Sequence, residues 1–95
     1  MTDSIDRLYD AVLEAMEAPP SSSRTARLLR AGRSKIAKKV AEEAVEVVIE
    51  AMLHNRDAVV RESADLLYNI AVLWASVDVE PKDVCKELQR RERLF

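Results

Sequence analysis

Apolar and polar residues alternate along this chain with the period of an α-helix. A first helix is predicted from about Ser4 to Glu17, with Asp3 or Ser4 as its N-cap. Two prolines and three serines in "APPSSS" end it, and the serines can cap the next element. The segment "RTARLLRAG" then predicts a short helix that ends at Gly32 with a positive φ.

Two long helices are predicted next. Ser34 can cap a helix that reaches about Leu53, and Asn55 in the polar break "HNRD" can cap another that reaches about Val77. Pro81 follows "DVE" and suits the first position of a last helix. We therefore predict one all-α domain over residues 1–95, built on an antiparallel pair of long helices and completed by oligomerisation.

The first long helix carries a stripe of carboxylates in the segment "KKVAEEAVEVVIEA". At about 100° per residue, one narrow arc contains Lys39, Glu43, Glu46 and Glu50, and Glu42 falls just outside it. Large aliphatic residues border this arc on both sides, whereas a solvated face is wider and free of such flanks. The pattern predicts a polar seam inside a packed assembly.

The second long helix repeats the arrangement. Glu62, Asp65 and Asn69 fall within about 60° of one another. The following residues, from Leu66 to Ala75, are apolar almost all round, which predicts a central helix with Tyr68 and Trp74 in the core. An ionised carboxylate buried beside such a segment needs a cation or a dense set of hydrogen bonds.

The pairs Glu43-x-x-Glu46 and Glu62-x-x-Asp65 each place two carboxylates one turn apart on one helix face. In an antiparallel hairpin the two pairs can face each other. Ligands that are all oxygen suit Mg²⁺ or Mn²⁺ and argue against zinc. Because Mg²⁺ commonly binds substrate phosphates, we predict hydrolysis of a phosphoanhydride, with Glu43 and Glu46 as catalytic residues.

Other interpretations of these charges stay open. Lys39 can contact a substrate phosphate or pair with Glu43, and the basic residues before it, Arg27 and Lys35 among them, can gather phosphates or form a solvated surface. The acidic seams can also be ion-pair ladders of a non-catalytic helical association module. We assign His54, in the interhelical break, to the surface. We assign Cys85, beside Val84, to the core.

The composition of the chain bears on its self-association, its partners and its cellular location. With 95 residues the chain is near the lower size limit for a comfortable single core, so self-association is expected. A net charge of −2, with both signs interspersed, argues against a general nucleic-acid binder. A single cysteine excludes an internal disulfide and fits a reducing compartment. No long apolar run and no apolar leader are present, so we predict a cytoplasmic protein without a membrane span.

The segment "TARLLRAGRSKIAKKVAEEAVEVVIEA", followed by "ESADLLYNIAVL" and "VCKELQRR", resembles the phosphoribosyl-ATP pyrophosphatase family of histidine biosynthesis, a group of MazG-like all-α pyrophosphohydrolases. The resemblance covers roughly residues 5–92. It implies hydrolysis of phosphoribosyl-ATP to phosphoribosyl-AMP and pyrophosphate, and helical dimers or larger assemblies with sites near the subunit interface. It also implies Mg²⁺ bound by the two acidic motifs, Lys39 as a phosphate contact and Glu42 as a further acidic contact.

This chain departs from the family pattern at three positions. Ala41 replaces a glycine, Arg24 replaces an aromatic residue and Asn69 replaces a histidine. The last two can adjust the substrate pocket without touching the metal carboxylates, so we expect Asn69 to contribute to substrate binding. A house-cleaning pyrophosphohydrolase that acts on a non-standard nucleoside triphosphate therefore stays open as an alternative.

Overall fold

A computed structural model describes residues 3–95 and shows a bundle of helices. Within these residues there are five α-helices and no strand, which confirms the predicted all-α class. The helices are α1 (Asp3–Met16), α2 (Arg24–Ala31), α3 (Arg33–Met52), α4 (Arg56–Ser76) and α5 (Pro81–Arg90), with short 3-10 helices at Pro20–Ser22 and Glu92–Leu94. None of the described helices is both long and apolar enough to cross a membrane.

Side-chain caps begin two of the helices as the sequence predicts. The Ser23 hydroxyl accepts a hydrogen bond from the Ala26 amide at 3.0 Å, which caps α2. Asn55 Oδ1 accepts one from the Ala58 amide at 3.3 Å, which caps α4. These bonds satisfy amide groups that have no partner inside the helix.

Four other predicted helix ends can be compared with the structure. Gly32 has a φ of 99° and its amide bonds the Leu29 carbonyl, so the predicted positive φ is confirmed. Pro81 occupies the first turn of α5, also as predicted. The predicted Ser34 cap is wrong, because Gly32 already precedes α3 directly and Ser34 lies inside the first turn. Asp3 and Ser4 likewise lie within α1 and are not its cap.

The long helices α3 and α4 form the predicted antiparallel hairpin. Arg33 Nη2 at the start of α3 donates a hydrogen bond to the Ser76 carbonyl at the end of α4, at 3.3 Å. At the other end a short turn joins the helices, and the exposed His54 in this turn has a φ of 57°. The hairpin therefore sets residues early in α3 beside residues late in α4.

The hydrophobic core lies at the end of the hairpin where α3 begins. Helices α1 and α2 pack there, and the buried cluster consists of Tyr9, Val12, Leu28, Ile36, Val72 and Ala75. Tyr68 and Trp74 are partly buried against this cluster, in agreement with their predicted packing. The Tyr9 hydroxyl also donates a hydrogen bond to the Val79 carbonyl at 2.7 Å, which links α1 to the segment before α5. Cys85 is half-buried on α5.

Large apolar side chains are exposed along the hairpin from its middle to the end opposite the core. We call this surface the distal hairpin face; its residues are Val45, Val48, Ile49, Met52, Leu53, Val60 and Leu67. Met52 is 76% exposed and Val48 is 60% exposed. Only Ile36 is buried among the twenty residues of α3. An apolar area of this kind is typical of an interaction surface.

Candidate active site

Three carboxylates meet in the middle of the α3–α4 hairpin. Glu43 comes from α3, and Glu62 and Asp65 lie one turn apart on α4. One oxygen from each residue lies within 4.8 Å of the corresponding oxygens of the other two. The antiparallel pairing produces this cluster, because it sets the middle of α3 beside the first half of α4.

Glu43 is the most constrained member of the cluster. Its Oε2 atom is buried and makes no hydrogen bond to any residue in the range 3–95. Its pKa is raised, first because burial penalises the charged form, then because the protonated form can hydrogen-bond Glu62, and last because Glu62, Asp65 and Glu46 add negative charge nearby. Three hard oxygen donors with an unpaired buried acceptor fit a divalent cation such as Mg²⁺ or Mn²⁺.

The other predicted acidic residues lie outside this cluster. Glu46 is exposed and acts on Glu43 only through its charge. Glu42 is also exposed and does not belong to the cluster of three carboxylates. Three of the four predicted metal ligands are thus brought together within one chain, and Glu46 is left facing solvent.

A cavity of about 230 Å³ lies on the same hairpin and is closed on one side by α2. Its lining residues are Arg24, Arg27, Leu28, Ala31, Lys35, Lys39 and Asn69, and we call it the basic cavity. Four of the five residues predicted to bind substrate are among them. The fifth, Glu42, is not among the lining residues.

The basic cavity and the carboxylate cluster are neighbours along both helices. On α3, Lys39 precedes Glu43 by one turn, and on α4, Asn69 follows Asp65 by one turn. One turn is about 5.4 Å. A ligand with several phosphate groups can therefore contact the cations of the cavity while it reaches the carboxylates.

Arg24 also lines the cavity, in agreement with the expectation that it can adjust the substrate pocket, although it was not among the predicted substrate-binding residues. Its guanidinium lies 5.7 Å from the centroid of the Tyr68 ring, a cation–π distance. The neighbouring Thr25 hydroxyl is 2.6 Å from the Tyr68 hydroxyl, which holds α2 against α4. The spacing of Arg24, Arg27, Leu28 and Ala31 shows that they share a helix face, but only packing decides that this face meets the hairpin.

The other basic residues of this region do not line the basic cavity. Arg33 bonds the Ser76 carbonyl, and Arg30 lines a different cavity beside α1. Lys38 is exposed and does not line the basic cavity. The solvated-surface interpretation therefore fits Lys38, whereas Arg27 and Lys35 lie at the cavity.

Asn69 is the only buried polar side chain in the core of the described residues, with 5% exposure. Its Nδ2 donates a hydrogen bond to the Asp65 carbonyl at 2.9 Å. Its Oδ1 has no partner among residues 3–95. Asn69 thus lines the basic cavity and bonds the main-chain carbonyl of Asp65, one of the clustered residues.

Comparison with known proteins gives consistent matches. The model of the phosphoribosyl-ATP pyrophosphohydrolase family matches residues 5–92. Proteins named phosphoribosyl-ATP pyrophosphatase 2 from Rhodopseudomonas palustris and Bradyrhizobium diazoefficiens are each 63% identical over 95 residues, which is all of this chain and 72% and 71% of theirs. A phosphoribosyl-ATP pyrophosphatase from Saccharolobus islandicus is 37% identical over 89 residues, which is 94% of this chain and 95% of that protein.

Proposed function

This chain belongs to the phosphoribosyl-ATP pyrophosphohydrolase family, and we propose that it hydrolyses phosphoribosyl-ATP to phosphoribosyl-AMP and pyrophosphate with the help of Mg²⁺. This reaction is the second step of histidine biosynthesis. The observation that carries the proposal is the position of the carboxylate cluster one helical turn from a cavity lined by four cations. A polyphosphate chain can reach both groups at this spacing.

The residues of the basic cavity bind and orient the substrate in this proposal. Arg27, Lys35 and Lys39 neutralise phosphate oxygens, and the guanidinium of Arg27 can bond two of them at once. Lys39 is the cation next to Glu43 on α3, so it holds the phosphate that lies closest to the carboxylates. The anhydride bond between the α- and β-phosphates then faces the cluster.

The carboxylates supply the remaining part of the site. Glu43, Glu62 and Asp65 would hold Mg²⁺ or Mn²⁺, which when bound neutralises phosphate charge and lowers the pKa of a bound water. Glu46 remains a predicted fourth ligand, and its exposed side chain is free to turn toward the cation or the attacking water. Hydrolysis breaks the α–β anhydride, adds the elements of water and releases pyrophosphate.

We also propose that two copies of the chain associate through the distal hairpin face. This face is apolar, and it lies on the same two helices that carry the carboxylates. Burial of apolar side chains against a second copy would remove them from water at about 25 cal/mol per Å². A domain of 95 residues gains stability from such an interface because its own core is small.

The decisive experiment is a substrate panel. Pyrophosphate release is measured from phosphoribosyl-ATP, ATP and non-standard nucleoside triphosphates such as ITP and dUTP, with Mg²⁺ and micromolar protein. We expect release from phosphoribosyl-ATP, and none from an Asp65→Ala variant that folds normally. Cleavage of a nucleoside triphosphate but not of phosphoribosyl-ATP would favour the house-cleaning alternative. No release from any nucleotide would favour a non-catalytic association module.

A further inference from the structure

The side-chain amide of Asn69 has one half of its hydrogen-bonding capacity unused. The Asp65 carbonyl can only accept a hydrogen bond, so the group at 2.9 Å from it must be the Nδ2 donor. This fixes the orientation of the amide and leaves Oδ1 as an acceptor. Oδ1 is buried and has no partner among the residues that the structure describes. A buried acceptor without a partner is costly, and such groups are few in native proteins.

The chemistry of the basic cavity restricts what can satisfy this oxygen. The other polar residues of its lining are Arg24, Arg27, Lys35 and Lys39, which attract phosphate. Phosphate oxygens accept hydrogen bonds and carry negative charge, so they cannot bond Oδ1 and are repelled by it. The part of a ligand that lies against Asn69 must therefore offer a hydrogen-bond donor.

The position of Asn69 indicates which part of a nucleotide this is. Asn69 lies one turn, about 5.4 Å, beyond Asp65 of the carboxylate cluster. When phosphates occupy the cluster and the cations, the next group along a nucleotide is its sugar, and the base lies farther away. Sugar hydroxyls are donors.

We propose that Asn69 is a specificity-determining residue whose Oδ1 accepts a hydrogen bond from a ribose hydroxyl of the bound nucleotide. The inference deepens the proposed function and rests on it for the nature of the ligand. Its consequence is selection of ribonucleotides over deoxynucleotides, since a ligand without the hydroxyl leaves the buried oxygen unpaired. A site that bonds a ligand hydroxyl discriminates strongly against an analogue that lacks it.

The test uses nucleotides whose α–β bond cannot be hydrolysed. Binding in Mg²⁺ is measured for α,β-methylene-ATP, its 2′-deoxy and 3′-deoxy forms, and a form without the 6-amino group. The unmodified chain should bind one deoxy form about tenfold more weakly than the parent, the size expected for one unmatched buried acceptor. The form without the amino group should bind like the parent. Equal binding of all four, or a loss confined to the form without the amino group, would overturn the proposal.

Variants locate the effect at the amide. Asn69→Leu, which has a similar shape but no acceptor, should bind the parent and the deoxy forms equally while its affinity for inorganic tripolyphosphate is unchanged. Gln89→Leu makes the same amide-to-leucine change on the exposed face of α5 and should keep the preference. A preference that persists in Asn69→Leu would contradict the role of Asn69. If Asn69→Leu does not fold, Asn69→Ala replaces it, and the comparison in the unmodified chain needs no variant.

The two proposals can fail separately. Release of pyrophosphate from phosphoribosyl-ATP together with equal binding of the four analogues would refute the role of Asn69 and support the proposed function. A ribose preference without release from phosphoribosyl-ATP would support the role of Asn69 and refute the proposed substrate.

Discussion

The carboxyl groups of Glu43 on α3 and Glu62 on α4 meet across the hairpin, with one oxygen of each within 4.8 Å of the other. When both are ionised neither can donate a hydrogen bond, and Glu43 Oε2 is left without a partner among residues 3–95. Their negative charges oppose folding, and packing elsewhere in the bundle holds them together. Local destabilisation of this kind is typical of functional sites.

Glu43→Gln should stabilise the protein in the absence of divalent metal. The raised pKa of Glu43 means that the folded state disfavours the ionised form. The contribution of Glu43 to stability is therefore fully present below its ordinary pKa of 4.5 and is lost as the pH rises through the raised pKa. At pH 7 in EDTA we expect a gain of roughly 1 kcal/mol, which is about 4–8 °C in Tm for a domain of this size.

The pH dependence is the control for this prediction. The gain should shrink as the pH falls through 4.5, because Glu43 then becomes protonated in both the folded and the unfolded chain. Thermal melts of both proteins across pH 4 to 8 measure it. A Glu43→Gln variant that is less stable at pH 7 would show that the carboxylate is already compensated.

Addition of Mg²⁺ should raise the Tm of the unmodified chain. A ligand that binds only the folded state stabilises it by about 2.7 kcal/mol at a concentration of 100 times its Kd. We expect a rise that increases with Mg²⁺ or Mn²⁺ concentration and is absent with sodium chloride at matched ionic strength. Asp65→Asn should abolish the rise, and an unchanged response in that variant would place the ion elsewhere.

Turnover should separate the clustered carboxylates from Glu46. Glu62→Gln and Asp65→Asn remove oxygens of the cluster, so we expect both the Mg²⁺-linked rise in Tm and the activity to be lost, with kcat down roughly 100-fold or more. Glu46→Gln should lower kcat as well but keep most of the Mg²⁺ response, because Glu46 lies outside the cluster. Full activity in Glu46→Gln would remove this residue from the predicted catalytic set.

Neutralising the cations of the basic cavity should weaken substrate binding. Arg27→Gln and Lys35→Gln are each expected to raise KM about tenfold, equivalent to about 1.4 kcal/mol, and to reduce its dependence on salt. Lys38→Gln is the matched control, since Lys38 is exposed on the same stretch of α3 and does not line the cavity. Equal effects of Lys35→Gln and Lys38→Gln would indicate a general charge effect and no cavity contact.

An acidic residue on the distal hairpin face should prevent self-association. Met52→Asp places a charge at a position that is 76% exposed in the single chain and would be buried between two copies. Because an unpaired buried charge costs about 3–5 kcal/mol, we expect the Kd of the assembly to rise by at least about 100-fold. Sedimentation or light scattering over a range of concentrations measures this, with Gln89→Asp as a control. If the unmodified chain is monomeric at high micromolar concentration, the proposed interface is contradicted.

Several features of this protein follow from the sequence because they depend on neighbours along the chain. Helix caps at Asn55 and the turn at Gly32 are local, and the predicted conformations are observed. The failure of the Ser34 cap is equally local, since Gly32 ends one helix and begins the next without room for another cap. The pairing of Glu43 with the α4 carboxylates is not local. It could still be predicted, because a short turn between two long helices makes them pack as an antiparallel hairpin.

Tertiary structure decides what helical periodicity cannot. Glu43 and Glu46 share an arc on α3, yet the relation of that arc to α4 buries an oxygen of Glu43 and leaves Glu46 in solvent. The basic residues before Lys39 are alike in sequence, and packing of α2 on the hairpin alone separates those that line the cavity from Lys38. The sequence determined which residues lie on a common helix face, because that is set by backbone geometry; which faces meet was decided only by packing between helices.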